Sequence, residues 1–203
     1  MPKPLLSSLA ATVTVLVLWT TPTEASTITF SALTGPNNTP FVSYSEVGFT
    51  VTGGGFLQTL IFGNPAPDVF GPAGTSSGSI TVTLTAGGDF VFNAVDLGKP
   101  SINNPNYLFE GFLGGNPVFS SGAVLNIATG TFANFLSPSN ALIDTLRISY
   151  SLAGGFNFSV INVDNINVSA VSAAVPEPVS LLLLGIGLVG LGARRWHHRR
   201  QRG

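Results

Sequence analysis

The sequence predicts an all-β domain of two packed sheets, and three observations carry that expectation. Short runs rich in Val, Ile, Thr and Phe recur through the middle of the 203-residue chain, separated by clusters of Gly, Pro, Asn and Ser. Apolar residues at helical spacing are almost missing from the same stretch. Several runs alternate instead, as in Ser79–Thr85, where Ile80, Val82 and Leu84 fall on one side and threonines on the other. That period of two is a strand with one face in a core and one in water.

Taken in chain order, strands are expected at Thr27–Ala32, Gly48–Thr52, Phe56–Phe62, Ser79–Thr85 and Phe90–Leu97, then at Tyr107–Leu113, Pro117–Ser120, Val124–Ala128, Leu142–Ser151 and Phe156–Val168. Three loops separate groups of them: Thr34–Pro40, Gly63–Gly78 and Gly98–Asn106, each rich in the glycine and proline that stop strands and set turns. The middle loop is long, and long ordered loops on sandwiches often carry binding. Phe90, Phe92 and Ala94 alternate, as do Leu142, Leu146, Ile148 and Tyr150 with a break at Asp144. All fifteen phenylalanines lie within residues 26–174 and are expected to fill the core.

Both ends differ from this middle. Lys3 is the lone basic charge of a short N-terminal region, Leu9–Trp19 is apolar, and Thr23-Glu-Ala25 places small residues before an expected cut at Ala25/Ser26. Residues 1–25 therefore have the build of a removable signal peptide, the alternative being a retained N-terminal helix. At the other end, Val175-Pro-Glu-Pro178 precedes an uncharged stretch, Val179–Ala193, and then five arginines and two histidines crowd the last ten residues. As a helix, 179–193 would span about 22 Å, short of the ~30 Å hydrocarbon core. Snorkelling from Arg194 and Arg195 helps such a segment reach, and a basic cluster holds that end in the cytoplasm. The domain before it then faces outward. A buried C-terminal helix is the alternative.

This tail resembles a PEP-CTERM sorting signal: Val175, Pro176, Glu177 and Pro178 match the signature, 179–193 the membrane segment, and Arg194 and Arg195 the start of the basic stop. The resemblance implies export, a transient tether to membrane lipid through the C-terminal helix, and cleavage by an exosortase as processing partner, often in bacteria that make extracellular polysaccharide. Residues 26–174 form the expected domain and 175–203 the sorting signal.

Within 26–174, Lys99 and Arg147 stand against Glu46, Asp68, Asp89, Asp96, Glu110, Asp144 and Asp164, two basic groups against seven acidic ones for a net of −5. Such a domain does not bind nucleic acid, whose phosphates require a basic footprint. The chain has no cysteine, and His197 and His198 are its only histidines. Disulfides, a Ser-His-Asp triad and a Cys-His pair are excluded from the domain, and a zinc hydrolase site is not expected there. A glycosidase would need only two carboxylates, with Glu46 and Glu110 as candidates.

The segments Thr39–Thr50, Phe109–Val118 and Ile161–Val168 together resemble the jelly-roll sandwiches of carbohydrate-binding modules. The resemblance implies a jelly-roll-like two-sheet sandwich and a structural calcium held near Glu46 and Asp164. Asp164 and Asn165 also interrupt the alternation of Ile161–Val168, since Asn165 shares the parity of Val163, and a β-bulge or a ligand would explain the break. No EF-hand loop is present. A sugar site would need an aromatic platform, for which Tyr107 beside the Asn-rich loop is the nominee. Three sequons, beginning at Asn37, Asn157 and Asn167, fit chance in a chain so rich in Asn, Ser and Thr.

The function expected is that of an exported, non-enzymatic protein, structural or adhesive within exopolysaccharide or biofilm. Its rivals are a carbohydrate-binding module with a discrete site near Tyr107 and the Gly63–Gly78 loop, and a hydrolase with paired carboxylates.

Overall fold

The computed structural model describes residues 24–152 and 160–171. Most of the expected signal peptide, residues 153–159 with the first four positions of the last expected strand, the sorting motif, the 179–193 segment and Arg194 with Arg195 lie outside the described residues. Thirteen strands are present among those described: β1 (Ala25–Ile28), β2 (Thr39–Pro40), β3 (Ser43–Glu46), β4 (Phe49–Gly54), β5 (Leu57–Thr59), β6 (Asp68–Gly71), β7 (Ser77–Leu84), β8 (Phe90–Lys99), β9 (Asn106–Leu113), β10 (Asn116–Val124), β11 (Thr131–Leu136), β12 (Thr145–Ser151) and β13 (Ile161–Ala170). No helix among them is long and apolar enough to cross a membrane.

The strands form the two-sheet sandwich expected. One sheet has the order β11-β8-β13-β6-β5-β2, with β1 also paired to β13; the other runs β10-β9-β12-β7-β4-β3. All pairings are antiparallel, and from β7 to β9 and again from β11 to β13 the chain changes sheet at each connection, in jelly-roll-like fashion. β13 is the centre of its sheet. Along one side it pairs with β8 from Asn162 to Ala170; along the other, β6 takes residues 161–163 and β1 takes 166–169.

The core lies between the sheets, where Val51, Ile80, Val82, Leu146 and Ile148 meet Val69, Val95, Leu97, Val163 and Val168. Phenylalanine contributes as expected: Phe49 packs edge-on to Phe90 at 5.2 Å, and Phe92 packs on Phe109 at 5.5 Å. Among the described residues, Phe62 is exposed, and Phe70 and Phe112 lie outside this core. Without disulfides, this close packing and the ladders hold the sandwich together.

Parity along two strands switches where the sequence alternation broke. On β13 the core residues are Ile161 and Val163, then Ile166 and Val168. The switch is a bulge: pairing with β8 shifts between Asp164 and Asn167, and Asn165 takes a positive φ of 46°. Asparagine tolerates this left-handed conformation better than the β-branched residues around it. On β8 the core side passes from Phe92 to Val95 and Leu97, so the expected Phe90-Phe92-Ala94 series does not run on.

Several expected boundaries are corrected. The Val124–Ala128 strand does not form: Val124 ends β10, and Leu125 is buried in a coil whose amide donates to Pro105 O at 2.7 Å. β11 forms instead, half-exposed at a sheet edge where its pattern is weak. The expected Phe56–Phe62 run shortens to Leu57–Thr59, and Leu142–Ser151 begins as a strand only at Thr145, with Ile143 making an isolated bridge to Phe90. Pro117 is accommodated in β10, an edge strand, beside a register shift.

Candidate functional site

On the six-stranded sheet, the residues that alternate with the core point outward, and opposed residues on neighbouring strands share a face. One outward row reads Thr52, Thr81, Arg147, Glu110 and Ser120; the next reads Gly54, Ser79, Ser149, Leu108 and Gly122. The second row passes from Gly54 through two small serines to Leu108, so the surface dips toward its Gly54 end. The resulting trough has a volume of about 590 Å³ and is lined by Gly54, Ser79, Ser149, Leu108, Glu110 and Arg147 among others. A Cβ on Gly54 would meet nothing within 4 Å, so the trough is open there.

Arg147 and Glu110 form the charged centre of this face. Nε and Nη2 of Arg147 both reach Glu110 Oε2, at 2.8 and 2.7 Å, and the guanidinium lies 5.2 Å from the centre of the Phe112 ring. The pair is partly exposed, so it adds little to stability, ~0–1 kcal/mol. Its effect is positional: it fixes a planar donor group beside a line of serine and threonine hydroxyls. Below the floor, Tyr150 is buried, and its hydroxyl sits 2.7 Å from Thr75 Oγ1 and donates to Gly55 O at 3.1 Å. Burial raises its pKa, with the Thr75 bond opposing.

A second polar constellation sits on the outer face of the other sheet. Asp96 and Asp164 are directly opposed across β8 and β13, and Asn134 is opposed to Asp96 on β11. The loop after β5 folds over them. Asn64 donates its backbone N–H to Asp164 Oδ2 at 2.5 Å and its side-chain amide to Asp96 Oδ2 at 3.2 Å. Asn165 donates its own N–H to Asp164 Oδ1 at 2.8 Å, and its side chain bonds Asp96 Oδ2 at 2.9 Å and the Asn64 carbonyl. Asn134 Nδ2 completes the shell on Asp96 Oδ1 at 2.9 Å. Burial pushes the Asp164 carboxyl up to about 6; the two backbone bonds oppose this, and the charges of Asp96 and Glu46 add to it. The overlying loop buries Asp164 completely.

Glu46 and Asp164 occupy separate cages. Glu46 Oε2 accepts the backbone N–H of Thr29 at 2.6 Å and of Phe30 at 3.1 Å, while Oε1 takes the hydroxyls of Thr29 and Ser31. Backbone N–H groups cannot turn to present oxygen, so these two carboxylates do not fit a shared calcium. Among the described residues, no three His, Cys, Asp or Glu side chains gather as a metal cage. Glu46 and Glu110 lie four strand steps apart on the six-stranded sheet, ~19 Å at the usual strand spacing and outside the reach of a glycosidase pair. Tyr107 faces the core edge, its ring 5.0 Å from both Phe109 and Phe135, and burial raises its pKa. It is not part of the trough. Ala25 and Ser26 open β1, opposite Ser169 and Val168.

Arg147 was not singled out by the sequence, although its parity with Ser149, opposite that of Leu146 and Ile148, is the pattern that places it outward.

Residues 174–200 match the PEP-CTERM protein-sorting motif. No curated protein matches the sequence. Among solved structures, the chain is similar to the enzymatically active domain of bacteriophage CBA120 tailspike protein 4, at 13% identity over 60% of this chain and 19% of that one, with a TM-score of 0.40. It is also similar to a point mutant of the family 29 carbohydrate-binding module CBM29-2, at 13% identity over 75% of this chain and 96% of that one, with a TM-score of 0.43. A third likeness is to the agarase AgWH50C, at 12% identity over 66% and 24% of the two chains, with a TM-score of 0.40. The chain thus spans about a fifth of the tailspike domain and a quarter of the agarase. The C-terminal motif is the mark of an exported protein sorted by exosortase.

Proposed function

We propose that this chain is an exported, non-enzymatic surface protein whose β-sandwich is structural and adhesive in extracellular polysaccharide, gripping neutral glycan along the trough of its six-stranded sheet. The export machinery would remove the leader at Ala25/Ser26. Exosortase would then act at Val175–Pro178 while the 179–193 segment tethers the chain to membrane lipid, and release would leave the domain at the cell surface or in a biofilm matrix. The observation that carries the adhesive part is the pair of outward rows. An open trough of hydroxyls and glycines with one neutralised ion pair suits an uncharged, hydroxyl-rich polymer lying across the strands.

The full chain, purified in detergent, is expected to be retarded in gels containing neutral extracellular polysaccharide. Ser149→Trp, which fills the trough, and Arg147→Ala should each abolish the retardation. Equal mobility with and without polysaccharide, or retardation unchanged in both variants, would overturn the adhesive assignment.

A further inference from the structure

A second, smaller cleft opens on the opposite face of the sandwich, and no residue of the trough belongs to it. Its floor is the outward face of β6 and β13, where Phe70 and Asn162 stand opposite each other in the ladder. One wall is the turn carrying Asn37 and Asn38, and another is the loop after β5, which contributes the ring of Phe62. The cleft measures about 190 Å³. That is below the ~300 Å³ at which drug-sized pockets begin, and it has room for one small ring.

Both walls are built in advance. Asn64 pins the Phe62 loop to Asp164 and Asp96. Gln58 pins the Asn turn by donating its side-chain amide to Thr34 O at 2.8 Å, while its backbone carbonyl accepts the Asn38 N–H at 2.9 Å. Asn37 Oδ1 accepts the Leu60 N–H at 2.6 Å, which fixes that amide too. Asn38 is held at a positive φ of 63°, and among the described residues its side chain makes no hydrogen bond. Phe62 is 63% exposed beside these amides although its loop is tied down. An exposed ring on a fixed loop next to the free Asn38 amide is a recognition surface, because little ordering entropy remains to be lost on binding.

The lining is mixed and carries no ionised side chain. Two phenyl rings offer apolar faces, and the side-chain amides of Asn37 and Asn38 with the Thr59 hydroxyl offer polar groups, while the Asn162 amide is taken by Asp68. Acidic groups flank the floor on the same face, with Asp68 bonded to Asn162 and Asp164 two residues along β13, and no cation lines the cleft. Anions are therefore unwelcome. We propose that this cleft binds a single neutral pyranose ring, its C–H face against Phe62 or Phe70 and its hydroxyls on Asn37 and Asn38, and that it rejects hexuronates and phosphorylated sugars. This goes beyond the adhesive trough and does not depend on it.

The test is saturation-transfer NMR on the full chain in detergent, with the methyl glycosides of neutral hexoses and of hexuronic acids at millimolar concentration. Neutral glycosides should receive saturation at their ring C–H positions and hexuronates should not. Phe62→Ala and Asn38→Gly, the latter keeping the backbone conformation, should each weaken binding at least tenfold. Absence of saturation for every neutral glycoside, equal saturation of hexuronates, or indifference to both cleft variants would overturn the assignment. Failure of polysaccharide retardation alone leaves this cleft standing.

Discussion

Asn162 donates its side-chain amide to Asp68 Oδ2, and the remaining side-chain oxygen of each residue is buried with no partner among the described residues. A buried carboxylate oxygen left without a donor favours the protonated acid. Burial pushes the Asp68 carboxyl from the ordinary 3.8 up to about 8; the Asn162 bond opposes the rise, and the charge of Asp164 reinforces it. Neutral at pH 7, the acid can donate Oδ1–H to the Asn162 carbonyl and close an acid–amide pair.

A folded pKa above the unfolded one means that the unfolded chain holds fewer protons in between, so stability falls as pH rises. The contribution of Asp68 is fully present below pH 3.8 and is lost as pH climbs through about 8, and that of Asp164 is lost through about 6. The thermal unfolding midpoint, followed by circular dichroism, is expected to decline from pH 5 to pH 9. Asp68→Asn should flatten the part above pH 7 and keep the part near pH 6. A midpoint that rises across this range would contradict the assignment.

Glu46 ties the end of β1 to β3 through two backbone amides and two hydroxyls. Charge-assisted bonds of this kind are worth ~1.5–3 kcal/mol each and do not add fully. Glu46→Ala is therefore expected to cost about 3 kcal/mol in urea unfolding. Glu46→Gln, which keeps one acceptor oxygen, should cost less.

Replacing Asn165 separates backbone from side chain. A non-glycine, non-Asn residue in the left-handed region costs ~1–2 kcal/mol, so Asn165→Ala loses that amount and the bonds to Asp96 and Asn64 as well. Asn165→Gly should lose only the bonds and fall between wild type and Ala in chemical denaturation.

Calcium offers a further check. Because fixed N–H donors occupy Glu46 and Asp164, adding millimolar calcium or a chelator should leave the unfolding midpoint of the full chain within error. A calcium-dependent rise would show that these cages open for the ion.

The two-sheet sandwich is legible in the sequence because Ile80, Val82, Leu146 and Ile148 alternate within single strands, a local signal. The break at Asp164 and Asn165 is legible too, though only as a choice between bulge and ligand. What hides is whatever depends on distant chain. Asp164 looks wet until Asn64, a hundred residues earlier, lies over it, and Phe70 looks like core until β6 turns it outward. The trough escapes notice for the same reason, since Ser79, Ser149 and Gly54 become neighbours only through the register of three strands. Tyr107 misleads because an aromatic beside an Asn-rich loop reads the same whether its ring points out or in.

The antiparallel pairing that sets Ala25 opposite Ser169 brings the first and last strands out at the same end of the sheet. Mechanical load therefore has a defined path. Tension that draws those two strands apart from that end opens the β1–β13 bonds one after another, like a zipper. Tension on β13 alone has to break its ladder with β8 along nearly the whole strand at once. A domain held by its C-terminal end and pulled through its faces would thus resist rupture, while its first strand would peel at low force.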